Sequence, residues 1–363
     1  MKTEETILEI NLTDLEKNIH YLKSLLKPST LFLAVVKASS YGNNSVAIAS
    51  HLQRKGLVNY FAVAFASEGI ALREAGISLP ILVLHPQPIH FDDIIKHQLE
   101  PTIYSLRIAQ LFLDYASKHE LKKYPIHLKC NTGLNRLGFD LNEIDAVLDL
   151  LKNNPTIEVK TAYSHLAASE DMNEKAFTEK QIETFVSFQE KINNTFSHKV
   201  IYHQCNTSGI LNYPQAQFDM VRCGVGMYGF ANDALLQPYL TPIMTLKSVI
   251  SQIHTLSIGD SLGYNRGYIA DHLTKTATIP VGHADGINRI YGKEKGFVFI
   301  NGKKAPILGN VCMDMILVEV TDIHCEEGDE VIVFDKIHTA ESLAESAGTI
   351  SYELITSMSH RIN

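Results

Sequence analysis

The sequence predicts an α/β protein with an N-terminal (β/α)8 barrel, or TIM barrel, and a C-terminal mainly β domain. Short apolar runs alternate with amphipathic patterns in the first part of the chain, and β-rich segments with turn residues follow after about residue 236. The length of 363 residues, 45% of them hydrophobic, is ample for two domains. We therefore place the barrel in residues 1–235 and the β domain in residues 236–363, and the first residues, through about residue 10, could join the β domain.

Eight apolar runs are the candidate barrel strands. They lie at residues 31–38, 60–66, 80–85, 100–105, 124–130, 159–166, 199–205 and 219–229. Between them, apolar residues recur at spacings of three and four, which predicts helices that include 67–76, 106–119, 141–154 and 178–194. Strand and helix alternating eight times is the pattern that a closed parallel barrel requires.

The second part of the chain contains five candidate strand segments. They span residues 245–256, 274–283, 296–311, 315–323 and 329–335. Asn301 and Gly302 stand between two apolar segments, and both residue types tolerate the positive φ of a tight hairpin turn. We expect one short closing helix, over either 341–348 or 350–359.

Charge and hydropathy exclude several classes of function. The net charge of −8 is spread along the chain without a long run of either sign, which argues against nucleic-acid or membrane-surface binding. No apolar stretch reaches the roughly 18 residues of a membrane span, and the first residues lack the apolar core of a signal peptide. We expect a cytoplasmic protein whose partners are small molecules.

The five cysteines are predicted to be reduced thiols. They are widely separated, contain no CxxC pair, and lie at Cys130, Cys205, Cys223, Cys312 and Cys325. His203 and Cys205 are two residues apart, which raises the alternative of a metal site. No second ligand pair accompanies them at a metal-like spacing, so structural packing is the better account and we predict no metal.

Lys37 ends an apolar run and precedes a turn of small residues. Its ammonium group could simply reach water at the strand end. Alternatively, burial could lower its pKa and make it a Schiff-base lysine at the barrel mouth. Residues 205–209 and 223–226, after strands 7 and 8, offer hydroxyls, glycines and backbone amides suited to a phosphate. Either loop alone would be read as a turn, but together with Lys37 they are consistent with a phosphorylated aldehyde cofactor.

A series of motifs resembles the pyridoxal-phosphate-dependent alanine racemases of fold type III, in the same order along nearly the whole chain. The motifs are VVKASSYG, HLKCNTGLNRLGF, CNTSGIL, VRCGVGMYG, GYNRGY, GHADG, GNVCMDM and ISYE. Details such as EPTIYS, GLNRLGF and LGNVCMDM resemble most the racemase half of fused enzymes that also carry a cell-wall dipeptide ligase, although this sequence includes no ligase half.

The resemblance implies an isomerase that interconverts L-alanine and D-alanine, supplies D-alanine for peptidoglycan, and binds pyridoxal 5'-phosphate. Lys37 would hold the cofactor and act as the base on one face of the α-carbon. Tyr264 would act on the other face, reaching across the interface of a homodimer. Racemisation needs a base on each face, because a single base tends to return the proton to the face it left. Without the other motifs, Tyr264 would be interpreted as a buried strand aromatic.

Arg222 matches the residue that donates to the pyridine nitrogen in this family. An arginine rarely gives up its proton, so the ring becomes a weaker electron sink, which should suppress transamination and decarboxylation. An ordinary ion pair at the barrel mouth is the alternative. His165 would lie over the cofactor ring and join a hydrogen-bond chain between Arg222 and Tyr264, whereas a histidine at a strand end is otherwise usually structural.

The resemblance assigns the remaining site residues as well. Those that would bind the cofactor are Tyr41, Asn206, Thr207, Gly224, Val225 and Tyr352. Those that would bind or admit substrate are Arg136, Met313, with Asp314 beside it, and His283. Lys129 matches the position that carries a carbamate in many members, where it holds the arginine equivalent to Arg136 in place.

Four departures from the family pattern bear on these assignments. Asn43 follows the glycine of the Lys37 motif where members have histidine, and Cys223 replaces a proline after Arg222. Asn131 replaces an aspartate near Lys129, which leaves the carbamate an open question. His283 stands where a tyrosine normally narrows the access to the substrate, so access and accepted substrate size could differ.

Two other functions remain as alternatives. A decarboxylase on the same two-domain plan would need an acidic residue at the pyridine nitrogen, and Arg222 argues against it. A non-catalytic cofactor-binding protein is the second alternative, but such proteins consist of the barrel alone. The β domain with Tyr264 therefore favours the racemase.

Overall fold

The computed structural model describes residues 5–231 and 237–362. The chain divides into two compact units. The first, which we call the barrel unit, contains Glu16–Ser40 and Asn44–Leu240. The second, the β unit, contains the chain up to Leu15, the segment Tyr41–Asn43, and the chain from Thr241 onward. The first strand, β1 (Ile7–Ile10), belongs to the β unit, because it pairs antiparallel with residues 244–247.

Eight parallel strands close into the barrel, as the sequence predicts. They are β2 (Leu31–Val35), β3 (Tyr60–Val63), β4 (Ile81–Val83), β5 (Glu100–Ile103), β6 (Tyr124–Lys129), β7 (Ile157–Tyr163), β8 (Ile201–His203) and β9 (Met220–Cys223). Each overlaps one of the eight predicted runs. Closure comes from β2 and β9, where Leu33 pairs with Arg222. The carboxyl ends of all eight strands therefore meet at one mouth.

Helices precede the first barrel strand and connect the others. They are α1 (Leu12–Ser24), α2 (Lys37–Gly42), α3 (Ser45–Arg54), α4 (Ala66–Glu74), α5 (Phe91–Lys96), α6 (Leu106–Lys118), α7 (Ile144–Leu151), α8 (Lys175–Thr195) and α9 (Thr207–Asn212). The four predicted helices are confirmed, but α7 is shorter than predicted. It begins at Ile144 and ends at Leu151, because Lys152, with a ψ of 139°, and Asn153, with a φ of 64°, are outside the helical region. Among the described residues, no helix combines the length and apolarity needed to cross a bilayer.

The short segment α2 is left-handed. Its non-glycine residues Ala38, Ser39, Ser40 and Tyr41 have φ values of 51°, 54°, 55° and 56°. Such a conformation costs about 1–2 kcal/mol per residue, so the surrounding structure must impose it. Gly42 completes the turn at a φ of 87°, and a Cβ there would lie 2.1 Å from the carbonyl oxygen of Ile355. The small-residue turn predicted after Lys37 is thus a tightly constrained one.

The β unit consists of three sheets. The strands after β1 are β10 (Met244–Val249), β11 (Gln252–Leu256), β12 (Ser261–Leu262), β13 (Tyr268–Ile269), β14 (Thr274–Ile279), β15 (Phe297–Ile300), β16 (Lys303–Pro306), β17 (Ile316–Glu319) and β18 (Glu330–Phe334). The sheet orders are β1-β10-β18-β15-β16, β11-β14-β17 and β12-β13. Asn301 and Gly302, with φ values of 51° and 74°, form the predicted hairpin turn between β15 and β16.

Two helices, not one, close the β unit. They are α10 (Ala340–Ser346) and α11 (Ser351–Thr356). The hydroxyl of Thr339 caps α10 by accepting from the amide of Ser342 at 3.2 Å. Gly348 then separates the helices with a φ of 75°. The expectation of a single closing helix was wrong because both apolar patterns find a buried face within the unit.

Candidate active site

Arg222 is held at the barrel mouth by a dense set of hydrogen bonds. It projects from β9, is only 4% exposed, and makes five hydrogen bonds. Its Nη1 donates to the carbonyl oxygen of His203 at 3.0 Å, and its Nη2 donates to those of Ser164 and Gln204 at 2.6 and 3.1 Å. The other two bonds go to the Nδ1 atoms of His203, at 2.9 Å, and His165, at 3.1 Å. The partners are carbonyls and imidazoles, so the ordinary ion pair is not what holds this arginine.

The charge of Arg222 sets the protonation of both histidines. Burial lowers the pKa of Arg222 to about 10, so the side chain remains charged at neutral pH. A guanidinium can only donate, and therefore His165 and His203 must each present a bare Nδ1 to it. Burial and the Arg222 charge also hold the pKa of His165 and of His203 well below the ordinary value. Both rings are thus neutral, with the proton on Nε2.

Lys37 lies directly after β2 and is half-buried. Burial lowers its pKa, and the positive charge of Arg136 lowers it further against the opposing effect of Glu68. Glu68 also accepts from the amide of Ala38 at 2.6 Å, which anchors the backbone next to the lysine. The amine is consequently easier to deprotonate than an exposed lysine, as a nucleophile or base requires.

Lys129 is the second unusual lysine of the barrel. It is 7% exposed at the end of β6, and its Nζ donates to the carbonyl oxygen of Cys130 at 3.1 Å. Burial and the charge of Arg222 lower its pKa to about 7. Arg136, by contrast, is exposed on the loop that follows β6. At pH 7 a substantial fraction of this buried amine is therefore neutral, and a neutral amine is reactive toward electrophiles.

Asn131 organises the loop that carries Arg136. Its Oδ1 accepts from the amides of Gly133 and Asn135 at 3.2 and 3.0 Å. Its Nδ2 donates to a carboxylate oxygen of Asp140 at 2.7 Å. An aspartate in place of Asn131 could make the first two contacts but would face Asp140 with a like charge. The asparagine at position 131 therefore suits its acidic neighbour Asp140, to which an aspartate could not donate a hydrogen bond.

The loops after β8 and β9 touch each other. Asn206 caps α9 by accepting from the amide of Gly209 at 2.8 Å. Gly226 donates its amide to Thr207 Oγ1 at 3.3 Å, and a Cβ on Gly226 would lie 2.4 Å from Thr207 Cγ2. Helical turns begin at Thr207 and at Val225, and first-turn amides have no acceptor within their own helix. Asn206, Thr207, Gly224 and Val225 thus lie at the starts of two helical turns on contacting loops, and we call this close-fitting group the cradle.

The side chains of His203 and Cys205 point to different partners. His203 contacts Arg222 and Thr161, whereas Cys205 Sγ donates to the carbonyl oxygen of Tyr213 at 3.8 Å. Within the described ranges, no group of three or more His, Cys, Asp or Glu side chains is arranged to hold a metal ion. Cys223 packs with its Sγ 3.5 Å from Thr207 Oγ1, and burial raises its pKa to about 12. These residues contribute packing beside the cradle.

The β unit presents Tyr264 on its surface. The side chain is 73% exposed, so the interpretation as a buried strand aromatic is wrong. It lines a surface cavity of about 550 Å³ together with Gly263, Cys312, Met313, Asp314, Met315 and Leu317. Its carbonyl oxygen accepts from Asn310 Nδ2 at 3.0 Å. Tyr264 and Met313, which the sequence places 49 positions apart, therefore share one face of this unit.

Three further predicted residues also lie in the β unit. The rings of Tyr41 and Tyr352 contact each other edge to face, with centroids 6.1 Å apart. His283 is exposed, and its amide donates to the carbonyl oxygen of Cys312 at 3.0 Å. The remaining predicted residues, Lys37, Lys129, Arg136, His165, Asn206, Thr207, Arg222, Gly224 and Val225, all belong to the barrel unit.

Sequence reasoning missed a second set of polar residues inside the barrel. These are Tyr60, Glu100, His127, Thr161 and Lys160, joined by hydrogen bonds to one another and to His203. A signal existed in β6, where His127 stands between Ile126 and Leu128, but β7 also contains Glu158 and Lys160, so Thr161 does not stand out there. No local pattern indicated that the two would meet.

Comparison with known proteins gives full-length matches. The family model "Alanine racemase, N-terminal domain" matches residues 10–232, and "Alanine racemase, C-terminal domain" matches residues 243–363. A curated alanine racemase of Clostridium perfringens is 34% identical over 366 residues, spanning 98% of this chain and 93% of the relative. One from Halothermothrix orenii is 33% identical, spanning 99% of this chain and 96% of the relative.

Solved structures agree with this result. An alanine racemase of Clostridium difficile 630 superposes with a TM-score of 0.92 at 34% identity, covering 99% of this chain and 95% of that one. The alanine racemase from a D-cycloserine-producing Streptomyces lavendulae gives a TM-score of 0.92 at 25% identity, covering 100% of this chain and 97% of that one. The predicted barrel plus β domain is thus confirmed at the level of the fold.

Proposed function

Because this chain belongs to the alanine racemase family, we propose that it interconverts L-alanine and D-alanine with pyridoxal 5'-phosphate as its cofactor. The family's enzymes depend on this cofactor. The observation that carries the proposal is the pairing of a half-buried, pKa-lowered Lys37 with a buried, charged Arg222 in one barrel.

The residues present fit the cofactor. A Cβ at Gly226 would fill the space beside Thr207, so the glycine keeps open the close approach that a phosphate needs. Thr207 with the amides of Gly224 and Val225 would hold the phosphate, joined by Asn206, Tyr41 and Tyr352. Lys37 would hold the aldehyde carbon, and Arg222 would donate to the ring nitrogen. When bound, the cofactor supplies an electron sink that makes the α-hydrogen of an amino acid acidic.

Arg222 separates the racemase from the decarboxylase alternative. A guanidinium with a pKa of about 10 keeps its proton near neutral pH, so it polarises the ring nitrogen without protonating it. The weaker electron sink favours returning a proton to the α-carbon over breaking a carbon–carbon bond. The non-catalytic alternative is disfavoured by the second family domain, which supplies Tyr264 on an exposed face.

Two side chains would move the α-proton. Lys37 Nζ, with its lowered pKa, would serve one face, and Tyr264 Oη would serve the other. His165 accepts from Arg222 through Nδ1, which leaves its Nε2–H free to donate. We assign that donor to the phenol oxygen of Tyr264, where a hydrogen bond would stabilise the phenolate that a tyrosine base requires.

We propose that the active site is shared between two copies of the chain, with Tyr264 contributed by the second subunit. What supports this is an exposed apolar surface on the β unit, where Tyr264, Met313 and Met315 are 73%, 58% and 44% exposed around one cavity. Such surfaces commonly mark protein interfaces. Met313 would lend its amide to the substrate carboxylate in the assembled dimer.

Substrate binding would also involve Arg136 and Lys129. Arg136 is exposed and charged, as a carboxylate ligand must be before substrate arrives. We propose that Lys129 is carbamylated, since its buried amine has a pKa of about 7 and would be relieved of the charge of Arg222 by becoming an anion. His283 would narrow access to the substrate, as a smaller substitute for tyrosine.

The cellular role follows from the same family membership. We propose that the enzyme acts in the cytoplasm and supplies D-alanine for peptidoglycan. Its motifs EPTIYS, GLNRLGF and LGNVCMDM support a specific kinship with the racemase half of fused ligase enzymes. We also propose the domain boundary at residues 235 and 236, which lie outside the described residues.

The decisive experiment is α-proton exchange in D2O, followed by NMR, with L-alanine and a small panel of amino acids. D-product is quantified alongside, and Lys37→Ala serves as the control. Exchange with inversion that is lost in the control establishes racemisation and ranks the substrates. Absence of exchange from cofactor-loaded protein would instead favour a binding role. Sedimentation of wild type and Met315→Asp, a residue outside the proposed chemistry, tests the shared interface.

A further inference from the structure

Four consecutive hydrogen bonds run through the barrel interior from Arg222 to Glu100. Arg222 Nη1 lies 2.9 Å from His203 Nδ1, and His203 Nε2 lies 2.8 Å from Thr161 Oγ1. Thr161 Oγ1 lies 2.7 Å from His127 Nδ1, and His127 Nε2 lies 2.8 Å from Glu100 Oε2. All five residues are buried, with exposures of 0% for the three central ones. Barrel interiors are usually filled with aliphatic side chains, so a continuous polar chain there is unusual.

The two ends of this chain fix the direction of every proton in it. Arg222 can only donate, and an ionised carboxylate can only accept. Although burial by itself raises the pKa of Glu100, the hydrogen bonds that it accepts from His127 and Lys160, together with the positive charge of Lys160, outweigh burial and hold that pKa below its ordinary value. One arrangement then satisfies each bond with neutral rings. His203 donates from Nε2 to Thr161, Thr161 donates to His127 Nδ1, and His127 donates from Nε2 to Glu100.

Each end is anchored independently. Glu100 accepts from the hydroxyl of Tyr60 at 2.9 Å and from Lys160 Nζ at 2.8 Å. At the other end, the His203 ring stacks on Tyr163, with centroids 4.9 Å apart and planes 12° from parallel. Stacking fixes the plane of the His203 ring. What the hydrogen-bond chain then determines is which of the two ring nitrogens carries the proton. Thr161, between the two rings, is the one link whose hydroxyl both accepts and donates.

We infer that Glu100, His127 and Thr161 form a positioning chain that fixes the tautomer of His203 and thereby holds Arg222 in the orientation needed for the ring nitrogen. If the proton of His203 moved to Nδ1, an N–H would face the N–H of Arg222, and the guanidinium would have to shift. None of the three residues touches the cofactor or substrate in this scheme. The inference rests on the proposed function for the role of Arg222, but not for the hydrogen-bond chain itself.

The test compares Thr161→Val, which keeps the shape and removes the hydroxyl, with Thr161→Ser, which keeps the hydroxyl. Cofactor-free protein labelled with 15N in histidine is examined by NMR, which distinguishes protonated from bare ring nitrogens. We expect wild type and Thr161→Ser to show His203 and His127 with bare Nδ1 and protonated Nε2. In Thr161→Val the Nε2–H of His203 loses its acceptor, and we expect its proton to appear partly on Nδ1.

Kinetics of the cofactor-loaded variants completes the test. We expect kcat for racemisation to fall about 10-fold or more in Thr161→Val, with little change in KM, and to be near wild type in Thr161→Ser. Thr161→Ala removes the same hydroxyl with less volume and replaces Thr161→Val if that variant does not fold. A wild-type His203 protonated at Nδ1 would overturn the inference.

The two readouts must also agree. A fall in kcat without a change of tautomer would mean that Thr161 acts through packing, and a change of tautomer without a fall in kcat would remove any role in catalysis. Either result overturns the inference. The NMR measurement needs no cofactor and no turnover, so it decides the hydrogen-bond chain even if racemisation by the wild type is absent and the proposed function fails.

Discussion

The ammonium group of Lys129 lies 5.1 Å from the centre of the Tyr163 ring, and the guanidinium carbon of Arg222 lies 5.1 Å from the same ring centre. Two cationic side chains are thus held against one buried aromatic ring. Arg222 keeps its charge because its five hydrogen bonds satisfy the guanidinium. Burial and the positive charge of Arg222 lower the pKa of Lys129 to about 7, so Lys129 loses its proton more readily than Arg222 does.

The lowered pKa of Lys129 predicts a pH dependence of stability. Between about pH 7 and the ordinary lysine value of 10.5, the unfolded chain binds a proton at this position that the folded chain does not. The free energy of unfolding should therefore rise with pH in this window, by at most about 1.4 kcal/mol per pH unit from this group. Lys129→Met should flatten that part of the profile. The check is denaturant unfolding of both proteins in buffer freed of CO2, and parallel profiles would contradict it.

The same lysine predicts a reaction with CO2. Addition of 13C-labelled bicarbonate to wild type should give a carbamate carbon resonance near pH 7.5, because the amine is then largely neutral. Lys129→Met should lack this resonance, and Lys180→Met, which changes an exposed lysine on α8, should keep it. A signal that survives in Lys129→Met would assign the carbamate elsewhere.

Substitutions at Asn131 and Asp140 should have coupled effects on stability and on KM, because the two side chains are hydrogen-bonded. Asn131→Asp restores the usual family residue but replaces a 2.7 Å hydrogen bond with two facing carboxylates. We expect a loss of about 1–2 kcal/mol in the free energy of unfolding and a raised KM for alanine, since this loop carries Arg136. The double variant Asn131→Asp/Asp140→Asn should recover most of both losses. Thermal denaturation and steady-state kinetics measure the coupling, and equal effects of single and double variants would refute it.

A side chain at position 226 should weaken binding of the cofactor phosphate in the cradle. In Gly226→Ala the new Cβ would lie 2.4 Å from Thr207 Cγ2, so one of the two loops must move. We expect pyridoxal phosphate to bind about 10-fold or more weakly, as overpacking commonly costs about 1–3 kcal/mol. Gly226→Ala/Thr207→Ser lacks the clashing methyl and should regain affinity. Absorbance titration of the apoprotein gives both dissociation constants, and unaltered affinity in the single variant would exclude the cradle.

Substitution of His283 should change the access of substrate to the active site and leave the chemical step unchanged. The side chain is exposed on the β unit, and its amide is held by the carbonyl oxygen of Cys312. Tyrosine at this position should change KM more than kcat, because it alters the approach to the site. Steady-state kinetics with L-alanine and L-serine measures the effect. An unchanged KM with a collapsed kcat would count against this role.

Much of the fold was readable because its signals are local. Each barrel strand is a short apolar run, and Asn301–Gly302 specifies its hairpin through the φ preferences of two adjacent residues. The errors were equally local, as with the end of α7 near Asn153 and the second closing helix α11. The roles of Lys37, Tyr264 and the other site residues came from motif order and stay predictions.

The sequence by itself determined the strand and helix pattern, the motif series, and hence the family, because these depend on residues close together along the chain. Only the tertiary structure decided which distant side chains meet. Glu100, His127, Thr161, His203 and Arg222 lie on the five successive strands β5 to β9, and the parallel pairing of each strand with the next brings them within hydrogen-bond distance. Which ring nitrogen of His127 and of His203 carries the proton follows from the hydrogen bonds to their neighbours, and those bonds exist only in the folded protein. The low pKa of Lys129 has the same origin, since burial and a second cation exist only in the folded barrel.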